Sequence, residues 1–170
     1  LLGKHYQIPF VSKKHILFND AALAAHVPYE SAESPIASHT ISTGQSNGWI
    51  WDIGLPSRKG VGYVYSSAHC SEDEARATLD NYLKHDKKTT DVDVSEARKI
   101  TFTPGYRKTL WVENCVAIGN SAGFLEPLEA SALVMIELSA THIAKQLPRT
   151  LCECKAAGRQ FNNAFEKKWE

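Results

Sequence analysis

Two carboxylates, Glu126 and Glu129, stand on either side of Pro127-Leu128 and are the strongest candidates for chemistry in this sequence. Upstream lies Val116-Ala-Ile-Gly-Asn-Ser-Ala-Gly123, and downstream Ala130-Ser-Ala-Leu133 opens a long apolar stretch. Two outcomes are open for carboxylates beside a helix start. The helix dipole favours their ionised form, which would make them plain charge–dipole complements. Burial in a dry cleft would instead raise one pKa and fit that group for acid–base work. The Gly/Ser turn also has two readings: an ordinary strand–helix connection, or a helix start whose backbone N–H groups hold an anion or a cofactor. Trp49 and Trp51 form a second candidate pair. Alternate positions share one face of a strand, where two indoles either pack into a core or interface or wall in a flat aromatic ligand.

The elements that must position these residues follow from periodicity and punctuation. Val116, Ala117 and Ile118 form a two-sided apolar run, so a buried strand is expected over 109–118. Gly119 and Gly123 allow close backbone approach, and Pro127 suits the first turn of a helix over 129–147. Its apolar positions Leu133, Ile136, Ala140, Ile143 and Leu147 recur at helical spacing, and Pro148 stops it. Gly48-Trp-Ile-Trp-Asp-Ile53 and Val61-Gly-Tyr-Val-Tyr65, joined through Pro56-Ser-Arg-Lys-Gly60, predict a hairpin. In it Trp49, Trp51 and Ile53 share one face, with Ile50 and Asp52 on the other.

Asn19 and Asp20 are expected to cap a short helix over 21–25. Ser71-Glu-Asp-Glu74 is a capping-box pattern that predicts a helix over 71–85, followed by a polar connection from Asp86. A strand is expected over 99–103, with Pro104-Gly105 as the turn after it. Ala157, Phe161, Ala164, Phe165 and Trp169 make one stripe of a last amphipathic helix over 151–169. The fold class expected is α+β: a mixed or antiparallel sheet from residues 37–67 and 99–118 with helices packed around it, forming a single partial domain over 1–170.

Composition excludes several classes. Lys+Arg and Asp+Glu number 19 each, so no basic surface spread over the whole chain is available for nucleic acid. No apolar run reaches the roughly 18 residues of a membrane span, and no secretory-type leader is visible. Cys70, Cys115, Cys152 and Cys154 form no C-x-x-C pair, which suits reduced thiols in the cytoplasm. His5, His15, His26 and His39 lack metal-ligand spacing, and no metal site is expected. Hydrolase elbows, phosphate loops and Gly-x-Gly-x-x-Gly are absent. A start without Met and an end inside an amphipathic pattern suggest a piece of a longer protein.

Two blocks carry a family resemblance. Gly48-Trp-Ile-Trp-Asp-Ile-Gly-Leu-Pro56, with Arg58 and Gly60-Val-Gly-Tyr-Val-Tyr-Ser66, resembles the Trp-x-Trp-x-Ile-Pro signature of the flavin-dependent tryptophan halogenases. Asn114-Cys-Val-Ala-Ile-Gly119 and Phe124-Leu-Glu-Pro-Leu-Glu129 resemble that family's second block. The likeness extends over essentially all 170 residues. It implies the middle section of a larger flavoprotein with a FAD/NAD(P)-binding, monooxygenase-like fold. In that family a reductase supplies reduced FAD, oxygen converts it to a hydroperoxide, and chloride or bromide is oxidised. The resulting hypohalous acid then halogenates tryptophan, indole or another electron-rich arene.

By resemblance, Glu129 is the catalytic carboxylate, and Gly119 and Asn120 touch the flavin. Ala130, Ser131, Ala132 and Leu133 face the flavin edge, with Ser131 and Ala132 at the halide. Trp49 and Trp51 stand by the cofactor and keep organic substrate from it. Two departures are visible. Gly54 stands where the signature has Pro, and Ala130-Ser-Ala132 stands where tryptophan-specific members usually show Ser-Thr-Gly. The family's other members also include the alternatives of a flavin monooxygenase or oxidoreductase; a non-catalytic ligand-binding β domain is the remaining one. The chain alone is expected neither to hold FAD tightly nor to catalyse. Its uncovered sheet edge and helix stripes predict a homodimer or poor solubility.

Overall fold

The computed structural model describes residues 1–86, 92–126, 128 and 130–170. In chain order the strands are β1 (Phe10–Ser12), β2 (Ala21–Val27), β3 (Ile41–Gln45), β4 (Gly48–Gly54) and β5 (Lys59–Tyr65). Helix α1 (Glu72–Asn81) follows, then β6 (Arg98–Thr101), β7 (Gly105–Arg107), β8 (Trp111–Val112), β9 (Cys115–Val116) and β10 (Gly123–Phe124). Helices α2 (Ser131–Lys145) and α3 (Leu151–Trp169) complete the described order. The class is α+β with antiparallel pairing, as the patterning implied. Two compact units divide the chain: Phe18–Phe102, and Leu1–Leu17 together with Thr103–Glu170.

The Phe18–Phe102 unit is a five-stranded antiparallel sheet in the order β3-β4-β5-β2-β6. The expected hairpin is β4–β5, registered from Gly48 opposite Tyr65 to Gly54 opposite Lys59. Its inner face buries Ile50, Val61, Tyr63, Tyr65, Leu23, Ala25 and Val27 beneath Ala75 and Leu79 of α1. Each such large aliphatic side chain contributes about 2 kcal/mol of transfer free energy.

The short helix expected over 21–25 is instead strand β2, hydrogen-bonded to β5 on one side and β6 on the other. Alanine's helix propensity is a few tenths of a kcal/mol per residue, about the same as one good cross-strand pair, and two full ladders outweigh it. Asp20, expected as a helix cap, accepts from the Ser67 N–H (2.8 Å) and hydroxyl (2.9 Å) and so fastens the start of β2 to the end of β5.

Helix α1 begins as its pattern implied. The Glu74 N–H donates to Ser71 Oγ (3.3 Å) and the Ser71 N–H donates to Glu74 Oε2 (2.8 Å). That bonding holds the Glu74 carboxyl below its ordinary pKa. Lys99 and Arg76 do the same for Glu72, through contacts of 2.6 and 2.7 Å. Burial pushes the Tyr63 hydroxyl up to about 12 and raises the Cys70 thiol. A π turn, Tyr82–Asp86, ends the helical path. Most of the polar connection expected from Asp86 falls on 87–91, outside the described residues.

In the other unit β7 pairs with β1 and β10, and β8 and β9 make a separate two-residue hairpin. The continuous strand expected over 109–118 is therefore broken. Trp111 faces Val116, Val112 faces Cys115, and Glu113 turns the chain with φ 51. A two-residue reversal of this kind needs left-handed backbone, and the apolar run on each side masks it in the sequence. Pro104-Gly105 is not a free turn either, since Gly105 already pairs with Ser12 and Phe124.

Helix α3 buries Ala157, Gly158, Phe161, Phe165 and Trp169; of the expected stripe Ala164 is only half-buried, and Gly158 joins it. Its Asn162 works as a spare peptide. The side-chain oxygen accepts from the Leu110 and Trp111 N–H groups (3.0 and 2.8 Å), and its amide donates to the Trp111 carbonyl (2.9 Å). Helix α2 turns a different side inward from the one its Leu/Ile spacing suggested. Met135 and Ser139 are buried, while Leu133 is 67% and Leu147 71% exposed.

Candidate functional site

The candidate site is built where β9 hands the chain to α2. Ala117 is buried, and after Ile118 the chain makes a 3-10 turn, Gly119–Ser121. Gly119 takes φ 57, the left-handed region that glycine occupies without penalty. A Cβ there would come within 3.3 Å of the Ile136 side chain of α2, so this turn lies tight against the helix. The Ser121 hydroxyl is committed to the turn: it donates to the Ile118 carbonyl (2.7 Å) and accepts from the Ile118 N–H (3.1 Å). Asn120 is exposed. Gly123 then passes so close to Gly105 that a Cβ would reach its carbonyl at 2.5 Å. Pro127 and Glu129 lie outside the described residues, so the expected catalytic carboxylate is placed by sequence alone.

Past Glu129 the start of α2 is unlike that of the other two helices. Ala130, its N-cap, sits in left-handed backbone (φ 52, ψ 27) and has no side-chain oxygen to offer. Ala130 makes no side-chain cap hydrogen bond, and no acidic residue lies in the first turn that follows it. Leu133 N–H donates back to the Ala130 carbonyl (2.9 Å). The first N–H groups of any helix have no intrahelical partner and sit at the positive end of its dipole. Ser131 and Ala132 are half-buried here, and Leu133 is exposed. Backbone donors, a positive dipole end and flanking Ala132 and Ile136 fit an anion and the polar edge of a flat ring system. The described structure thus draws Gly119, Asn120 and Ala130–Leu133 onto the two ends of one short segment beside α2.

Trp49 and Trp51 belong to the Phe18–Phe102 unit. They share one face of β4, as alternation implied, but that face is not the core. Both indoles are half-buried, whereas Ile50 and Asp52 behind them are buried. The two rings meet edge to face, 6.3 Å apart at 62°. Tyr82 OH donates to Asp52 Oδ2 (3.4 Å) on the buried side, tying β4 to the end of α1. Sequence reasoning passed over two features with a legible signal. One is the missing cap, visible as Ala130 where the other helices carry Ser71 and Thr150. The other is the glycine opposite Trp51. Among the described residues no cluster of His, Cys, Asp and Glu could hold a metal ion. No helix among them is long and apolar enough to cross a membrane.

Comparison with known proteins assigns the class. The tryptophan halogenase family model matches residues 1–170, and the chain belongs to that family. Tryptophan 6-halogenase SttH of Streptomyces toxytricini is 38% identical over 148 residues, covering 87% of this chain and 27% of the relative. The crystal structure of a tryptophan halogenase from Shewanella frigidimarina superposes with a TM-score of 0.90 at 51% identity, over 99% of this chain and 32% of that one. Tar14, a tryptophan C-6 flavin-dependent halogenase (chlorinase) from taromycin biosynthesis, gives a TM-score of 0.84 at 35% identity, over 95% of this chain and 31% of that one. The chain thus spans about a third of the length of these relatives.

Proposed function

We infer that this chain is the segment of a flavin-dependent halogenase that presents the flavin- and halide-facing turn. The enzyme containing it halogenates tryptophan, indole or another electron-rich arene. The observation that carries this reading is the uncapped start of α2, immediately after Glu129, in a chain of the tryptophan halogenase family. When bound, reduced FAD supplies the electrons with which dioxygen oxidises chloride or bromide to hypohalous acid. This chain's own part is to bind and to orient. Gly119 and Asn120 line the cofactor, and the Ser131 and Ala132 N–H groups hold the halide at the dipole's positive end. The Glu129 carboxylate polarises the reagent or stabilises the cation formed on the arene. Trp49 and Trp51 separate the arene from the flavin. A flavin reductase is the transient partner, and four free thiols suit a cytoplasmic setting.

The test is product analysis of the full-length enzyme with reductase, tryptophan or indole, and chloride or bromide. A halogenated product that follows the halide supplied is expected; a hydroxylated product, or none, overturns the reading. Glu129→Gln is expected to lower halogenation on the order of 100-fold while flavin oxidation continues.

A further inference from the structure

We propose that Gly62 is a positioning residue of the halogenase reading, acting through Trp51. Across the Trp-bearing face of the sheet, Trp49 stands opposite Gly44 and Val64, Trp51 opposite Ser42 and Gly62, and Ile53 opposite Gly60. Three glycines therefore border the tryptophans, and they are not equivalent. A Cβ at Gly44 or at Gly60 would meet nothing within 4 Å. A Cβ at Gly62 would overlap Cζ2 and Cη2 of Trp51 and, as closely, the Leu23 carbonyl oxygen of the neighbouring strand. The Trp51 indole thus leans sideways off its own strand and lies on the bare backbone of β5.

That lean brings Trp51 against Trp49, which it meets edge to face, so moving one ring changes the angle between the two. Ala24, which pairs with Gly62 on the next strand, extends the same small-residue floor. Ile50 and Asp52, between and behind the tryptophans, point to the buried face instead. A methyl group at position 62 would lift the indole and change the surface that the tryptophan pair presents. Misplacement by about 1 Å of a group that positions the reactants can cost up to on the order of 100-fold in rate. Gly62 touches neither substrate nor cofactor in this scheme; it decides where Trp51 can lie.

The test uses the full-length enzyme carrying this chain, as wild type, Gly62→Ala, Trp51→Phe and the double variant. Phenylalanine lacks the two ring atoms that a residue-62 methyl would strike. Two quantities are read: the far-ultraviolet exciton couplet of the Trp49/Trp51 pair, and halogenated product formed per reduced flavin consumed. Gly62→Ala is expected to abolish or invert the couplet and to lower product yield about tenfold. In the Trp51→Phe background the same substitution is expected to lower yield no further, while melting temperature falls alike in both backgrounds through the Leu23 carbonyl. Retention of couplet and yield in Gly62→Ala overturns the proposal. So does loss of the couplet with yield unchanged, or a Gly62→Ala loss that adds in full to that of Trp51→Phe. If the single variant fails to fold, a folded double variant supports the proposal; failure of both assigns the need for glycine to the Leu23 carbonyl and refutes it. Absence of halogenated product from the wild type sinks the halogenase reading itself, while the couplet still tests the link between Gly62 and Trp51.

Discussion

Helices α1 and α3 begin alike, and α2 begins differently. Ser71 with Glu74, and Thr150 with Glu153, close reciprocal boxes in which each side chain satisfies a backbone N–H at the other's position. Such caps stabilise a helix by about 1 kcal/mol each. Helix α2 begins on an alanine held in left-handed backbone, a conformation that costs a non-glycine residue roughly 1–2 kcal/mol, and gains no side-chain cap. The two boxed helices satisfy two backbone N–H groups each with their own side chains. The third has no such box at Ala130, and it is the one that follows the turn at Gly119 and the Glu126/Glu129 segment. An incomplete element among complete ones is where strain and unsatisfied donors acquire a functional explanation.

The comparison can be broken most severely by supplying α2 with an acid of its own. Ala130→Asp keeps a residue tolerant of left-handed backbone and adds a carboxylate at the dipole's positive end. Melting temperature is expected to hold or rise, while halogenation by the full-length enzyme falls on the order of 100-fold as the carboxylate excludes halide. Next in size is removal of the existing caps. Ser71→Ala and Thr150→Ala should each lower unfolding free energy by about 1 kcal/mol in denaturant melts, with no change in product per flavin.

Acid should also distinguish the starts. The Glu72 and Glu74 carboxyls are held below the ordinary glutamate range when folded, by Lys99 and Arg76 and by Ser71 respectively. A depressed folded pKa gives stability that is present above the unfolded pKa and lost as pH falls through the folded one. The melting temperature should therefore decline as pH drops below about 4.5. Glu74→Gln should flatten that decline, and an unchanged slope would remove the box from the explanation. The smallest effect is expected from Ala132→Gly, which deletes one methyl beside the halide position. A bromide-to-chloride product ratio raised a few-fold is the outcome, read by mass spectrometry at equal halide concentrations.

Sequence carried some of this and hid the rest, for identifiable reasons. The box at Ser71 and the aromatic stripe of α3 are local patterns, and local hydrogen bonds and one-sided burial realise them directly. The β4–β5 hairpin was equally legible, through alternation and a Pro/Gly turn. Strand β2 was not, because Ala21-Ala-Leu-Ala-Ala25 has no strand-like composition; its form is imposed by β5 and β6, which lie far away in sequence. The reversal at Glu113 was hidden by a non-glycine residue in a conformation usually signalled by glycine. On α2 the Leu/Ile spacing pointed to one buried side, yet Met135 and Ser139 are what this unit covers. At the candidate site the residue types pointed to the turn at Gly119 and the start of α2. The absent cap carried the physical content, and a missing side-chain oxygen leaves no motif to match.

The most direct test of the α2 start is anomalous diffraction from bromide in crystals of the full-length enzyme with FAD bound. A bromide in contact with the backbone nitrogens of Ser131 and Ala132, and lost in Ala130→Asp, is the predicted result. Bromide seated elsewhere in an enzyme that still brominates its arene would contradict the assignment of this helix start as the halide site.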